Sequence, residues 1–218
     1  MDQNKSEIKE KIRTFWDNPN HNYDAGHGVN DPAEKEMWRG AMARLLGPNR
    51  NIKVLDIGTG TGFLALLLAE MGYSVTGVDW AENKLRKARD KAKLADISAN
   101  FEIQDAETLS YPEGTFDAVV NRHVIWTLAD PSAAIRDWAR VVRPGGMIIA
   151  DVPPKKTHSG DHHFGADVGK NLPFYNGAEP EEIVEMFTQA KITGIDILKL
   201  EKPSDAGRTT LLVYGKKM

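Results

Sequence analysis

A chain of 218 residues with 41% hydrophobic and 27% charged side chains has ordinary globular composition and enough length to bury its own core. It has no cysteine, which excludes disulfide frameworks, cysteine-based zinc or iron–sulfur sites and thiol nucleophiles. A formal net charge of −3 speaks against a phosphate-backbone partner, and the polar Met1–Lys11 segment and lack of any window near ~18 apolar residues predict no signal peptide or membrane span, hence a soluble cytoplasmic protein.

In chain order, Ile8, Ile12, Phe15 and Trp16 lie at helical spacing and predict a helix over Ser6–Trp16. The stretch Asp17–Gly28 is rich in turn formers. A second helix is predicted over Pro32–Leu46, with Asp31 as N-cap, proline in the first turn and Gly47-Pro48 as its stop. From Asn51 onward, β-rich runs alternate with helical patterns. Strands are expected over Ile52–Ile57, Tyr73–Asp79, Phe101–Gln104, Phe116–Asn121 and Met147–Val152, with helices over Phe63–Met71, Glu82–Ala95 and Pro131–Val142. The order implies an α/β fold, a doubly wound, mostly parallel sheet covered on both faces. Pro153–Glu179 has no clear period and is too long for a passive connection. A helix over Glu181–Ala190 follows, then strands at Ile195–Leu200 and Thr209–Tyr214. The Glu201–Arg208 link is too short for a helical crossover, so those two strands should pair antiparallel. One domain is expected: an N-terminal helical cap (1–48), a cofactor-binding core (49–152), a lid or insertion (153–179) and a closing helix with a strand pair (180–218).

Val54-Leu-Asp-Ile-Gly-Thr-Gly-Thr-Gly62-Phe63 stands where a strand hands over to a helix, the place where backbone passes close to a ligand. Asp79, at the end of the next strand, can accept from a ribose diol in the same crevice. The dinucleotide fingerprint requires glycine at the sixth position, which Phe63 fills when counting starts at Gly58. Counting from Gly60 puts the tolerated Ala65 there, but that start lies deep in the turn. Asp56 just before Gly58 would repel a pyrophosphate and suit a cationic ligand such as S-adenosylmethionine, which carries a sulfonium and an ammonium.

Asp56-Ile-Gly-Thr-Gly-Thr-Gly62 with Asp79, Gln104-Asp-Ala-Glu107 and Arg143-Pro-Gly-Gly146 resembles a class I S-adenosylmethionine-dependent methyltransferase of the broad type 11 group, which includes ubiquinone/menaquinone-biosynthesis-like enzymes. The resemblance covers Ile52–Val152 and implies a seven-stranded sheet of order 3-2-1-4-5-7-6 with strand 7 antiparallel. It implies S-adenosylmethionine as cofactor and S-adenosylhomocysteine as product. It also implies that Asp56, Gly58 and Gly60, within the turn that includes Thr59 and Gly62, hold the methionine part. Asp79 would take the ribose hydroxyls, Trp80 would lie beside the adenine, and Asp105 and Ala106 would meet its edge. Asn121 and Arg122 would lie beside the sulfonium and the methyl, Tyr23 would reach the cofactor from the cap, and Arg143–Gly146 would be a turn into strand 5.

The acceptor is expected to be a small molecule methylated by direct in-line displacement. Asn121-Arg-His-Val-Ile-Trp126 lacks the Pro-Pro-aromatic signature of enzymes that methylate nucleobases or glutamine, and Asp151-Val-Pro153 lacks the pair that would hold a catalytic divalent metal. His27 and His123 are the candidate acid–base residues. His158, His162 and His163 lie in the insertion, but Ser159-Gly160 disfavours the helix that would align them, so no metal is assigned. A monomer or homodimer without a nucleic-acid or membrane partner is expected. An NAD(P)-type oxidoreductase and a non-catalytic S-adenosylmethionine-binding protein are the alternatives.

Overall fold

A computed structural model describes residues 3–25, 28–155, 164–201 and 209–218. Seven strands form one sheet in the order β3-β2-β1-β4-β5-β7-β6. They are β1 (Lys53–Ile57), β2 (Ser74–Asp79), β3 (Asn100–Ile103), β4 (Phe116–Asn121), β5 (Val142–Asp151), β6 (Ile192–Glu201) and β7 (Thr209–Lys217). β1 pairs in parallel with β2 and β4, β2 with β3, and β4 with β5, while β7 runs antiparallel to both β5 and β6. The expected strand order and the antiparallel hairpin are therefore present.

The helices are α1 (Gln3–Trp16), α2 (Pro32–Leu46), α3 (Phe63–Glu70), α4 (Glu82–Leu94), α5 (Pro131–Val141), α6 (Ala166–Gly169) and α7 (Pro180–Gln189). Caps fix several starts. Asp31 accepts from the Ala33 N–H at 2.9 Å, Asp130 from the Ala133 N–H at 3.0 Å, and Glu179 with Glu182 forms a capping box on α7. Strand alternation sends successive side chains to opposite faces. Leu55, Ile57, Val119 and Ile148 meet Ile135 and Trp138 of α5 and Phe187 of α7. Val54, Val120 and Ile149 meet Trp38 and Met42 of α2 and Leu64 and Leu68 of α3. A third apolar cluster stands apart from both layers: Ile8 and Ile12 of α1 pack with Val168, Leu172 and Tyr175.

The structure revises several boundaries. Arg143–Gly146 is not a turn before strand 5 but an irregularity inside it, because Phe116 pairs with Val142 and Ala118 already pairs with Met147. Gly146 is required there, since a Cβ would stand 2.5 Å from the Asp117 carbonyl oxygen. β6 starts at Ile192 rather than Ile195, the break in alternation coming from a register shift between Thr193 and Asp196 where Gly194 has φ +59°. The described part of Pro153–Glu179 contains the single-turn helix α6 and the buried residues Val168, Leu172, Phe174, Tyr175 and Ala178. His27, His158, His162 and His163 lie outside the described residues.

Candidate active site

The carboxyl ends of β1, β2 and β4 open on a cavity of about 870 Å³, part of it continuous with solvent. Chain connections leave β1 and β4 on opposite sides here, the position where open α/β sheets form a crevice. β2 and β3 contribute the residues at one end of this cavity, the turn after β1 its floor, and the segment after β4 its other end.

The floor is a run of left-handed glycines: Gly58 at φ +63°, Gly60 at +54° and Gly62 at +88°. At Gly58 the backbone also packs so closely that a Cβ would lie 2.3 Å from Val124 Cγ2. At Gly60 a Cβ would meet only the Gly58 carbonyl oxygen, at 3.9 Å, so the space above the turn is free for a ligand. Asp56 is buried, and its Oδ2 accepts from Thr59 Oγ1 at 2.6 Å and the Ala65 N–H at 3.0 Å. Burial pushes its carboxyl up to about 7 against the pull of those two hydrogen bonds. Asp79 accepts from the Gly60 N–H and the Ala81 N–H, each at 2.9 Å, and burial raises its pKa as well.

Trp80, Gln104, Asp105 and Ala106 line the β2–β3 end. Lys9 of α1 reaches over this end. Its ammonium pairs with Asp105 at 2.5 Å and Glu107 at 3.5 Å and stands 5.9 Å from the Trp80 ring centre. Asp105 also accepts from the Glu107 N–H at 2.9 Å, which shapes the loop after β3.

At the β4 end, Tyr23 Oη and His123 Nδ1 are 2.7 Å apart and hydrogen-bonded. His123 adopts φ +61°, an unusual value for a non-glycine residue and a mark of a position held by its surroundings. One holder is Asp151 at the end of β5, whose Oδ2 accepts from the His123 N–H at 2.8 Å. Asp151 is buried, which pushes its carboxyl up to about 6, and its Oδ1 has no hydrogen-bond partner among the described residues. Burial also raises the Tyr23 pKa, so its phenol keeps its proton at neutral pH. Beside this pair, the Arg122 guanidinium is buried 4.2 Å from the Phe63 ring centre, with Nη2 donating to Glu34 Oε1 at 3.1 Å. The same Glu34 oxygen accepts from Trp38 Nε1 at 3.0 Å.

Of the sequence-derived residues, Asp56, Gly58, Thr59, Gly60, Asp79, Trp80, Asp105, Ala106, Arg122, His123 and Tyr23 line this one cavity. Two do not. Asn121 is fully buried with Nδ2 3.4 Å from the Ile149 carbonyl oxygen, so its side chain ties β4 to β5. Gly62 instead gives α3 room against α4, its Cβ position being 3.1 Å from Ala88 Cβ. Sequence reasoning passed over Lys9, Gln104 and Lys84 as site residues. Lys84 is buried at the cavity wall and donates to the His21 carbonyl oxygen at 3.0 Å; helical spacing alone gives a lysine there no distinguishing signal. Among the described residues, no three histidine, aspartate or glutamate side chains gather as a metal site.

Residues 55–150 match the family described as "Methyltransferase domain". The chain is 34% identical over 148 residues to a ubiquinone/menaquinone biosynthesis C-methyltransferase of Bdellovibrio bacteriovorus, covering 67% of this chain and 63% of the relative. It is 34% identical over 143 residues to a demethylmenaquinone methyltransferase of Thermus thermophilus, covering 64% and 65%. The chain thus spans somewhat less than two thirds of the length of these relatives. Among solved structures it is similar to a SAM-dependent methyltransferase from Methanosarcina mazei, with TM-score 0.62, 23% identity and 78% and 94% of the two chains covered. It is also similar in fold to a [4+2]-cyclase, with TM-score 0.65, 20% identity and coverage of 83% and 79%. Fold alone therefore leaves the reaction open. The domain matched over residues 55–150 and these relatives support a class I S-adenosylmethionine-dependent methyltransferase similar to those named for ubiquinone and menaquinone biosynthesis.

Proposed function

We propose that the chain methylates a small aromatic molecule bearing an ionisable hydroxyl, a phenol or quinol. The carrying observation is the Tyr23–His123 hydrogen bond at the edge of the cofactor cavity, with Trp16 lining the same wall. The relatives named for quinone biosynthesis support a small acceptor of this type.

The residues present fit S-adenosylmethionine. Free space above Gly60 admits a ligand against the turn, and Asp56 and Asp79 offer carboxylates to its cationic and ribose parts. In this reading Trp80, Asp105 and Ala106 hold the nucleoside end. When bound, the cofactor supplies a methyl group activated by positive sulfur. The protein has to orient the acceptor, exclude water and remove a proton from the acceptor oxygen or from the hydroxyl that activates a ring carbon. Tyr23 Oη is placed to take that proton while passing its own to His123 Nδ1, so the charge ends on the imidazole. Asp151 positions His123 through its backbone N–H.

Residues 1–48 would act as a cap and 153–179 as a lid around this chamber. The packing of α1 with Val168, Leu172 and Tyr175 supports their acting together. No helix among the described residues is long and apolar enough to cross a membrane. The proposal extends to a cytoplasmic monomer or homodimer that needs no nucleic acid.

The test is methyl transfer from S-adenosylmethionine to a panel of phenols, catechols and reduced quinones, followed by mass spectrometry. His123→Ala should lower turnover of the best acceptor by ~10²–10⁴-fold, the usual contribution of a positioned acid–base group, and leave S-adenosylhomocysteine binding intact. Full turnover in that variant would reject the base assignment. Tight cofactor binding with no product from any acceptor would instead favour a non-catalytic binding protein.

A further inference from the structure

We infer that Asp24 is a positioning residue: it bridges Thr61 in the glycine turn and Lys91 on α4, and so holds Tyr23 in hydrogen-bonding contact with His123. The inference deepens the acid–base reading above and rests on it. Asp24 stands outside the cavity lining, so it acts through its neighbour rather than on a ligand.

Tyr23 begins a single 3-10 turn, Tyr23–Ala25, that has no fully buried residue. So short a turn makes too few backbone hydrogen bonds to hold its own shape, and its position is set by what its side chains reach. The segment before it lies along one face of α4. Asp17 accepts from the Asn83 N–H at 2.7 Å, Lys87 donates to the Pro19 carbonyl oxygen at 3.2 Å, and Lys84 donates to the His21 carbonyl oxygen at 3.0 Å. Those contacts stop two residues short of Tyr23. Asp24 continues the row, its Oδ2 meeting Lys91 Nζ at 2.6 Å, one helical turn beyond Lys87.

The other Asp24 oxygen sets a second direction. Oδ1 accepts from Thr61 Oγ1 at 2.6 Å, and Thr61 is buried between Gly60 and Gly62. One carboxylate therefore ties the turn that carries Tyr23 both to a helix and to the cavity floor. Two anchors on different elements fix a position that one alone would leave free to swing. Burial pushes the Asp24 carboxyl up, but hydrogen bonds from Lys91 and Thr61 outweigh it and hold the pKa below the ordinary aspartate value. Both oxygens thus accept at neutral pH. The 2.7 Å between Tyr23 Oη and His123 Nδ1 needs such fixing. A displacement of about 1 Å would break the bond, and at a catalytic group it costs up to about 100-fold in rate.

Nitrogen NMR of the histidine rings reads this contact without an acceptor. With the Tyr23 phenol donating to Nδ1, His123 is held as the Nε2–H tautomer, and its resonances are assigned by their loss in His123→Ala. Asp24→Ala should release the ring to a mixture of tautomers, with Nδ1 moving toward its free-imidazole position. Thr61→Val, which removes the hydroxyl and keeps the branched shape, should move it the same way. With the best acceptor of the panel, Asp24→Ala should lower kcat by about 10–100-fold. It should lower kcat no further in a Tyr23→Phe background, whereas a residue that only supported the fold would cost the same in both backgrounds. Thermal unfolding is the fold control. The wild-type ring signature kept by either folded variant, or losses that add to those of Tyr23→Phe, overturns the inference. A wild type in which His123 shows no fixed Nε2–H tautomer rejects the Tyr23–His123 reading itself, and the inference with it.

Discussion

The Gly60 N–H donates to Asp79 Oδ2 at 2.9 Å, tying the glycine turn after β1 to the end of β2. The second Asp79 oxygen accepts from the Ala81 N–H just before α4. One carboxylate thus joins two loops of the cavity while still lining it, and a carboxylate oxygen has lone pairs left for a ribose hydroxyl. Removing it takes away a ligand contact and the pin on the turn together. Asp79→Ala should weaken S-adenosylhomocysteine binding by ~1.5–3 kcal/mol, the scale of hydrogen bonds to a charged group. Unchanged affinity by calorimetry would remove Asp79 from the site.

Gly58 and Gly60 share a left-handed backbone but differ in surroundings, so the same substitution should fail differently. At Gly58 a methyl would collide with Val124, and Gly58→Ala should cost ~1–3 kcal/mol of stability through overpacking. Gly58→Ala/Val124→Ala should recover part of the lost melting temperature. Gly60→Ala carries the same left-handed strain (φ +54°) but meets open space, so it should lower the melting temperature less than Gly58→Ala while still weakening binding. A melting temperature for Gly60→Ala as low as that of Gly58→Ala would refute the open-cradle description.

The sheet was legible because each strand carries either a continuous apolar run or an alternation, and short links dictate neighbours. The glycine turn and Asp79 were legible for a related reason: their geometry is local, set within one strand–turn–helix–strand unit. What stayed hidden was tertiary. Lys9 reaches Asp105 at the edge of the site only because α1 folds back across the β3 end, and nothing in its helical neighbourhood marks it out. Glu34 matters through Arg122, 88 residues away. Asn121 was misplaced because a strand-end position fixes the backbone and leaves the side chain free to turn toward β5. The β5 irregularity was read as a turn because Pro-Gly-Gly carries turn chemistry whether or not a strand continues through it.

The third apolar cluster gives α1 packing of its own, apart from the two layers on the sheet. Ile12 is fully buried there, against residues of α6 and its neighbours rather than the main core. Ile12→Ala should cost ~2–5 kcal/mol of local packing and raise the opening equilibrium of α1 by at least about 30-fold. Hydrogen exchange should quicken along α1 and around residues 168–175, with the amides of β1 and β4 unchanged. Uniform acceleration throughout the sheet would show that α1 and the sheet unfold as one unit.

Asp56 should make cofactor binding pH-dependent. Burial raises its carboxyl to about 7 in the folded protein, well above the ordinary aspartate value of 3.8. A raised carboxyl pKa means that the folded chain holds a proton that the unfolded chain releases, so its contribution to stability falls as pH rises from about 4 to about 7. A cationic ligand beside Asp56 reverses the preference, because the ionised carboxylate attracts it. Binding below about pH 7 must then expel the proton, and affinity should weaken as pH falls, by up to about tenfold per unit. Asp151, raised to about 6, titrates nearby, so the slope alone does not identify its source. Asp56→Asn keeps an acceptor oxygen for Thr59 and Ala65 and removes the titration, and should flatten the profile at a lower plateau. Calorimetry at about pH 6 in two buffers of different ionisation enthalpy counts the released proton directly. The wild type should release a substantial fraction of one proton, and Asp56→Asn close to none. Equal release by both proteins would move the titrating group away from Asp56.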